Sequence, residues 1–231
     1  MRGNRRAPGA SPATRLGGKR WVTETFTATG TWTRPVGVER VRVQCIAGGG
    51  SGNRGVYATS QPGGGGGGGG FVDGWADVAD QRTIAVTVGG AAGNSSFGSL
   101  VYAFRGGSSV EVTTSGASGL GGTGFGGSGA GSTGLYGSAA SGIAGQGNSG
   151  SSRTGGGAGG TPTGKADWDG TTRCTGGASG VSGNTASAVG ASGGANTGDG
   201  GGGGGSGSVS YQFDSAGGPG GSGIVKIGYW I

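Results

Sequence analysis

Histidine is absent from all 231 residues, which removes the commonest general base and metal ligand. Catalysis is therefore the first function class set aside. Cysteine occurs only at Cys45 and Cys174, too few for the disulfide framework of a small secreted domain. Cys45 falls on an apolar strand face and reads as a buried free thiol. The six prolines are too few for collagen despite 69 glycines, because collagen needs abundant proline and glycine at every third position. That step is held briefly by Gly116, Gly119 and Gly122, and again by Gly131, Gly134 and Gly137, and then slips. No run of 18 apolar residues is present, so no membrane insertion is expected. The amino terminus lacks the apolar stretch of a secretory signal, which suggests a chain made in a cytoplasm. Hydrophobic residues make up 31% of the chain, so any conventional core is small.

Charge is scarce and unevenly placed. Arg2, Arg5, Arg6, Arg15, Lys19 and Arg20 precede the first acid, Glu24, and the remaining ten basic and ten acidic residues cancel. Residues 1–20 thus form a basic extended arm on a neutral body. This argues against a domain-wide nucleic-acid surface, and no aromatic residues interleave with the arm's charges. The arm reads either as a solvated tail or as a segment ordered against a partner subunit.

After the arm, period-two patterning begins. Strands are expected over 21–29, in the following TWTRP and over 38–46. In the last of these, Val41, Val43 and Cys45 share one face, while Arg40, Arg42 and Gln44 share the other. Pro35, Val36 and Gly37 mark a turn. The eight glycines Gly63–Gly70 lead into FVDGWADV, which reads as structured chain rather than linker. Further strands are expected over 83–88, 96–104, 109–113 and 208–213. The closing IVKIGYWI places Val225, Ile227 and Tyr229 on one face. The expected base spans 21–114, and the chain rejoins it through 208–231.

Residues 115–223 are dominated by glycine, with isolated apolar residues too sparse for ordinary packing. Such a segment cannot offset backbone ordering by burying side chains. It is either a disordered tail or a structure held by backbone hydrogen bonds, and the strand pattern resuming after it favours the second. Polyglycine II, an extended threefold helix, can pack side by side without Cβ atoms and bond its amides to neighbouring helices. The expected fold is mainly β: a small β-sandwich base with an inserted region of packed polyglycine II helices and an extended N-terminal arm.

The opening TFTATGTWTRPVGVERVRVQCIAGGG resembles the start of the glycine-rich domain of phage tail and tail-fibre proteins, which reads FTxxGTWTxPxGVxxVxVxVxGGGG. The glycine run into FVDG, the stretch TIAVTVGGAAGNSSFG and the ending GGPGGSGIVKIGYW are similar to later parts of that pattern. The resemblance covers residues 22–231. It implies a virion protein assembled in the host cytoplasm, with other tail, fibre or capsid proteins as partners. It also implies host-surface contact, to a glycan or a protein, through distal loops. No large fibre-attachment domain accompanies it, which leaves capsid decoration open. A glycine-rich cell-surface protein is the non-viral alternative.

No cofactor or metal is expected. Asp73, Asp77 and Asp80 lack the spacing of an EF-hand loop. GGTPTGK, ending at Lys165, misses the phosphate-loop spacing and its final Ser or Thr. The loops 51–61 and 164–174 are expected to face outward. Asp167 and Asp169 flank Trp168, a pairing found where an aromatic face stacks on a sugar ring and carboxylates accept its hydroxyls. An exposed loop with one anchoring tryptophan is the simpler account. Tyr57, Trp75, Asp167, Trp168, Asp169 and Arg173 are the candidate receptor contacts, since aromatic residues and arginine dominate binding hot spots.

Overall fold

The computed structural model describes residues 18–55, 63–109, 165–178, 189–204 and 215–231, together with short strand pieces at 124–126, 182–183 and 206–207. The chain is mainly β, with no helix among the described residues. Its strands are β1 (Trp21–Phe26), β2 (Gly30–Thr33), β3 (Arg40–Ile46), β4 (Phe71–Asp77), β5 (Thr83–Thr87), β6 (Ser95–Phe97) and β7 (Val101–Ala103). These are followed by β8 (Gly124–Gly126), β9 (Lys165–Ala166), β10 (Thr172–Arg173), β11 (Ser182–Gly183), β12 (Ser206–Gly207) and β13 (Ile224–Trp230).

Two antiparallel sheets carry the base: one ordered β1-β13-β3-β4, the other β2-β5-β6-β7-β8. The closing strand β13 lies between β1 and β3, with Trp21 opposite Trp230 and Ile227 opposite Val43. The chain's last strand thus fills the middle of its first sheet. Two smaller pairs, antiparallel β9–β10 and parallel β11–β12, form separate two-stranded sheets.

The period-two pattern of β3 places Val41, Val43 and Cys45 at zero exposure. They share one apolar core with Val225, Ile227 and Tyr229 of β13 and with Trp32, Ile84, Val86, Phe97 and Val101 of the other sheet. Trp32 links the sheets: its ring lies edge-on to Phe97 at 5.5 Å and to Tyr229 at 6.0 Å. Its indole N–H donates to Glu24 Oε1 at 3.1 Å, which satisfies the one polar atom that burial strands.

Several expected boundaries move. The strand expected over 21–29 ends at Phe26, and the one expected from Val38 starts at Arg40. The Pro35–Val36–Gly37 turn forms as expected: the Val38 amide donates to the Pro35 carbonyl at 3.2 Å, with Gly37 at φ 80°. The single strand expected over 96–104 is a hairpin instead, because Gly98 adopts φ 53° and the Leu100 amide donates to the Phe97 carbonyl. Strand β13 is buried on both faces rather than one. The strands expected over 110–113 and 208–213 lie outside the described residues.

Adjoining β3, β4 and β13 in the chain, glycine-rich segments bond to one another through their backbones. The amides of Ala47, Gly50 and Asn53 donate to the carbonyls of Gly70, Gly67 and Gly64 at 3.0, 2.8 and 2.9 Å. Interleaved with them, Gly49, Gly52 and Gly55 donate to Gly221, Gly218 and Ser215 at 2.9, 2.9 and 3.0 Å. Gly63, Gly66 and Gly69 donate in turn to Gly204, Gly201 and Gly198 at 2.8, 2.8 and 2.7 Å, and Gly201 and Gly204 donate back to Gly50 and Asn53. Bonds to any one neighbour recur every three residues, so each segment can serve several neighbours in different directions. A β ladder would recur every two. The segments approach too closely for side chains: a Cβ on Gly66 would lie 2.1 Å from the Gly50 carbonyl oxygen.

Candidate functional site

The outward positions of the four-stranded sheet carry its polar chemistry. Alternation along β3 turns Arg40, Arg42 and Gln44 outward, and the register sets Arg42 opposite Trp75 and Gln44 opposite Asp73 on β4. On the other side of β3, Gln44 faces Lys226 and Arg42 faces Gly228 of β13. Three layers follow along this face. At one end, Ile46, Phe71 and Ile224 form a small apolar cluster closed by Cys174. Charged groups occupy the middle, and tryptophans the other end.

The middle layer is made by the β9–β10 hairpin docking on the sheet. Asp167 is fully buried and takes Arg173 Nε at 2.6 Å and Lys226 Nζ at 2.7 Å on the same oxygen, Oδ2. Lys226 Nζ also donates to Asp169 Oδ2 at 2.6 Å, and Arg173 Nη2 lies 3.4 Å from that oxygen. Arg173 Nη1 donates to the Asn196 carbonyl, tying the hairpin to the turn at 195–197. Next to this group, Arg42 binds Asp73 through two parallel bonds of 2.9 Å, and the Trp168 indole N–H donates to Asp73 Oδ2 at 3.0 Å. Three cations (Arg42, Arg173, Lys226) therefore meet three carboxylates (Asp73, Asp167, Asp169). The set is neutral as well as hydrogen-bonded, which is what allows charges to be buried here. Hydrogen bonding to Asp167, then to the Lys226 ammonium and Thr171, holds the Asp169 carboxyl well below the usual carboxylate range. Gln44 Oε1 is the one buried side-chain oxygen or nitrogen left without a partner among the described residues.

The tryptophan layer has Trp21 at its centre. Its ring lies edge-on to Trp230 at 5.1 Å, Trp75 at 6.2 Å and Trp168 at 6.4 Å. The Arg40 guanidinium sits 5.8 Å over Trp75, and that of Arg42 5.2 Å over Trp168. Trp21 reaches across the sheet because β13 has Gly228 beneath it: a Cβ there would lie 2.2 Å from Trp21 Cζ2.

The sequence-derived candidates divide accordingly. Trp75, Trp168 and Asp169 converge on this face and retain solvent exposure. Asp167 and Arg173 do not face outward as expected; their side chains, 0% and 9% exposed, hold the hairpin to the sheet. Asp167 and Asp169 therefore do not flank an open Trp168 ring as a matched pair. Tyr57 and the arm residues Arg2, Arg5, Arg6 and Arg15 lie outside the described residues. Lys19 and Arg20 are exposed, and the Arg20 backbone exchanges hydrogen bonds with Ile231 at 2.8 and 3.0 Å. Sequence reasoning missed Trp21, Trp230, Arg40, Arg42, Asp73 and Lys226. Outward positions in the period-two patterns were the available signal for them.

Both cysteines are free and buried. Burial pushes the Cys45 thiol up to about 12, and burial with the Asp199 charge raises Cys174 further. Neither is poised as a nucleophile. Among the described residues, no group of three or more potential ligands is placed to hold a metal ion, and no helix is long and apolar enough to cross a membrane.

A glycine-rich body joined to a two-sheet base defines the class of protein. The chain matches the glycine-rich domain family over residues 23–230 and belongs to it. Curated proteins give no match to the chain.

Proposed function

We propose that this chain is a structural protein of a phage virion, placed in the tail or tail fibre. Its fold is a β-sandwich base carrying packed polyglycine II helices. The observation carrying this reading is the three-residue recurrence of backbone hydrogen bonds between close-packed glycine segments. Three residues per turn is the step of the extended threefold helix. Each bond contributes about 0.5–1.5 kcal/mol net, against about 0.5–1 kcal/mol of extra ordering cost for each glycine relative to alanine. That balance holds where the segment ends are pinned, and β4 and β13 continue directly from two of them.

Such a body suits a virion appendage. Its stability lies in the backbone, which leaves side chains outside the bonded segments available for recognition chemistry. The basic arm, with Arg2, Arg5, Arg6, Arg15, Lys19 and Arg20, is the docking element toward other virion proteins. Outside the arm the sequence is neutral, with ten basic and ten acidic residues, which argues against a broad nucleic-acid surface. Host attachment is assigned to the outward surface that includes Trp75, Trp168 and Asp169. No catalytic step is assigned to it.

Electron cryo-microscopy of purified particles tests the reading. Density for this fold on the tail or fibre, with residues 1–20 against a neighbouring subunit, is the expected result. Density on the capsid would change the role to decoration. Absence from every particle fraction would overturn the proposal in favour of a glycine-rich cell-surface protein.

A further inference from the structure

Four of the five tryptophans, Trp21, Trp75, Trp168 and Trp230, come together on one face of the four-stranded sheet. They arrive from β1, β4, the β9–β10 hairpin and β13, so the cluster is a product of the whole fold. Two of its rings stay open to solvent, Trp75 at 37% and Trp230 at 51%, whereas the fifth tryptophan, Trp32, is fully buried. Gly228 in mid-strand leaves room for Trp21 to lie on the sheet, a position where glycine otherwise weakens a strand. The rings are thus held in place before any ligand arrives, which lowers the ordering cost of binding.

The charges around the rings indicate the ligand's chemistry. Arg40 is exposed, stacks over Trp75, and has no carboxylate partner among the described residues. Asp77, opposite Arg40 in register, instead accepts a hydrogen bond from the Ala79 amide at 3.0 Å. Arg42 is half-exposed and already bound to Asp73. Tryptophan and arginine also anchor protein interfaces, but those bury about 800 Å² on each side, and the open part of this cluster is two indoles and one guanidinium. A saccharide fits better. Its C–H groups carry partial positive charge and stack on the negative faces of the rings, and an acidic substituent would pair with the planar guanidinium of Arg40.

We propose that this face binds an anionic saccharide, with open indoles stacking on the sugar rings and Arg40 taking a carboxylate or phosphate group. The proposal rests on the host-attachment reading for its biological setting, and it locates that contact on the sheet face.

The full chain, purified alone, is titrated with oligogalacturonate, a sialylated oligosaccharide and a phosphorylated oligosaccharide. Maltohexaose serves as the neutral control and polyglutamate as the acidic peptide control. Tryptophan emission reads the site directly, and calorimetry gives the affinity. The expected result is saturable binding of at least one acidic saccharide, with weaker maltohexaose binding and no competition by polyglutamate. Arg40→Ala and Trp75→Ala should each weaken binding roughly tenfold or more while far-ultraviolet circular dichroism stays unchanged. Arg40→Lys, which keeps charge but loses the planar fork, should fall between. Failure of all three acidic saccharides to bind, equal competition by polyglutamate, or unchanged affinity in Arg40→Ala would overturn the proposal. The assay uses no particle, so these failures leave the virion reading standing. Conversely, absence of the chain from particles leaves the saccharide site standing.

Discussion

Replacing Gly66 by alanine probes the feature that most separates this chain from an ordinary β protein. Gly66 lies in the fully buried run 63–70. An added Cβ would meet the Gly50 carbonyl oxygen at 2.1 Å, its carbon at 2.5 Å and the Ser51 carbonyl carbon at 2.8 Å. All three are backbone atoms in a segment bonded on several sides, so no flexible side chain can move away. Relief requires segments 47–55 and 63–70 to separate locally by about 1 Å. That stretches the bonds from Gly50 to Gly67 (2.8 Å) and from Asn53 to Gly64 (2.9 Å) beyond useful length. Two lost bonds, with their buried groups left unsatisfied, cost about 3–5 kcal/mol. The reduced entropy of the unfolded alanine chain returns about 0.5–1 kcal/mol, leaving a net loss of about 2–4 kcal/mol. Gly90→Ala is the matched control: nothing lies within 4 Å of its Cβ position, so a change of no more than about 1 kcal/mol, in the stabilising direction, is expected. Urea denaturation followed by tryptophan emission measures both. Equal midpoints for the two variants would refute the close-packing argument.

Lys226→Met removes one partner of the buried Asp167 carboxylate and should destabilise the fold by about 3–5 kcal/mol, read from the same denaturation midpoint; a loss below about 1 kcal/mol would remove the hairpin's ion pairs from the account. Asp169 is held below its ordinary value near 3.8, so its contribution is fully present above that value and is lost only as pH falls through the lower folded value. Near-ultraviolet circular dichroism should therefore stay level from neutrality down to about pH 4, and hairpin release beginning above that point would contradict the assignment. Cys45, at about 12, and Cys174 should both react with a disulfide reagent at mildly alkaline pH only as fast as the protein opens. Labelling at the rate of a free peptide thiol would show that one of them is exposed.

What the linear chain determined by itself was local. Alternation in VERVRVQCI and IVKIGYWI identified the core faces of β3 and β13, because a period of two sends successive side chains to opposite faces. The Pro-Val-Gly turn was legible because glycine at its third position supplies the positive φ that the turn needs. The glycine runs announced segments without side-chain packing, and among the described residues those at 47–55, 63–70, 198–204 and 215–223 are joined by backbone hydrogen bonds. Only the tertiary structure decided which segments lie side by side. Asp167 and Lys226 are 59 residues apart, and Trp21 and Trp230 stand near opposite ends of the sequence. Their meeting depends on β13 entering between β1 and β3. A charged or aromatic residue in a polar stretch reads as exposed until a partner from elsewhere neutralises or covers it. This is why Arg173 and Asp167 read as surface residues in sequence and are buried in the fold. Glycine, too, carries no sign of its neighbour: Gly66 and Gly90 are the same letter, and only the carbonyl beside one of them makes a methyl group intolerable.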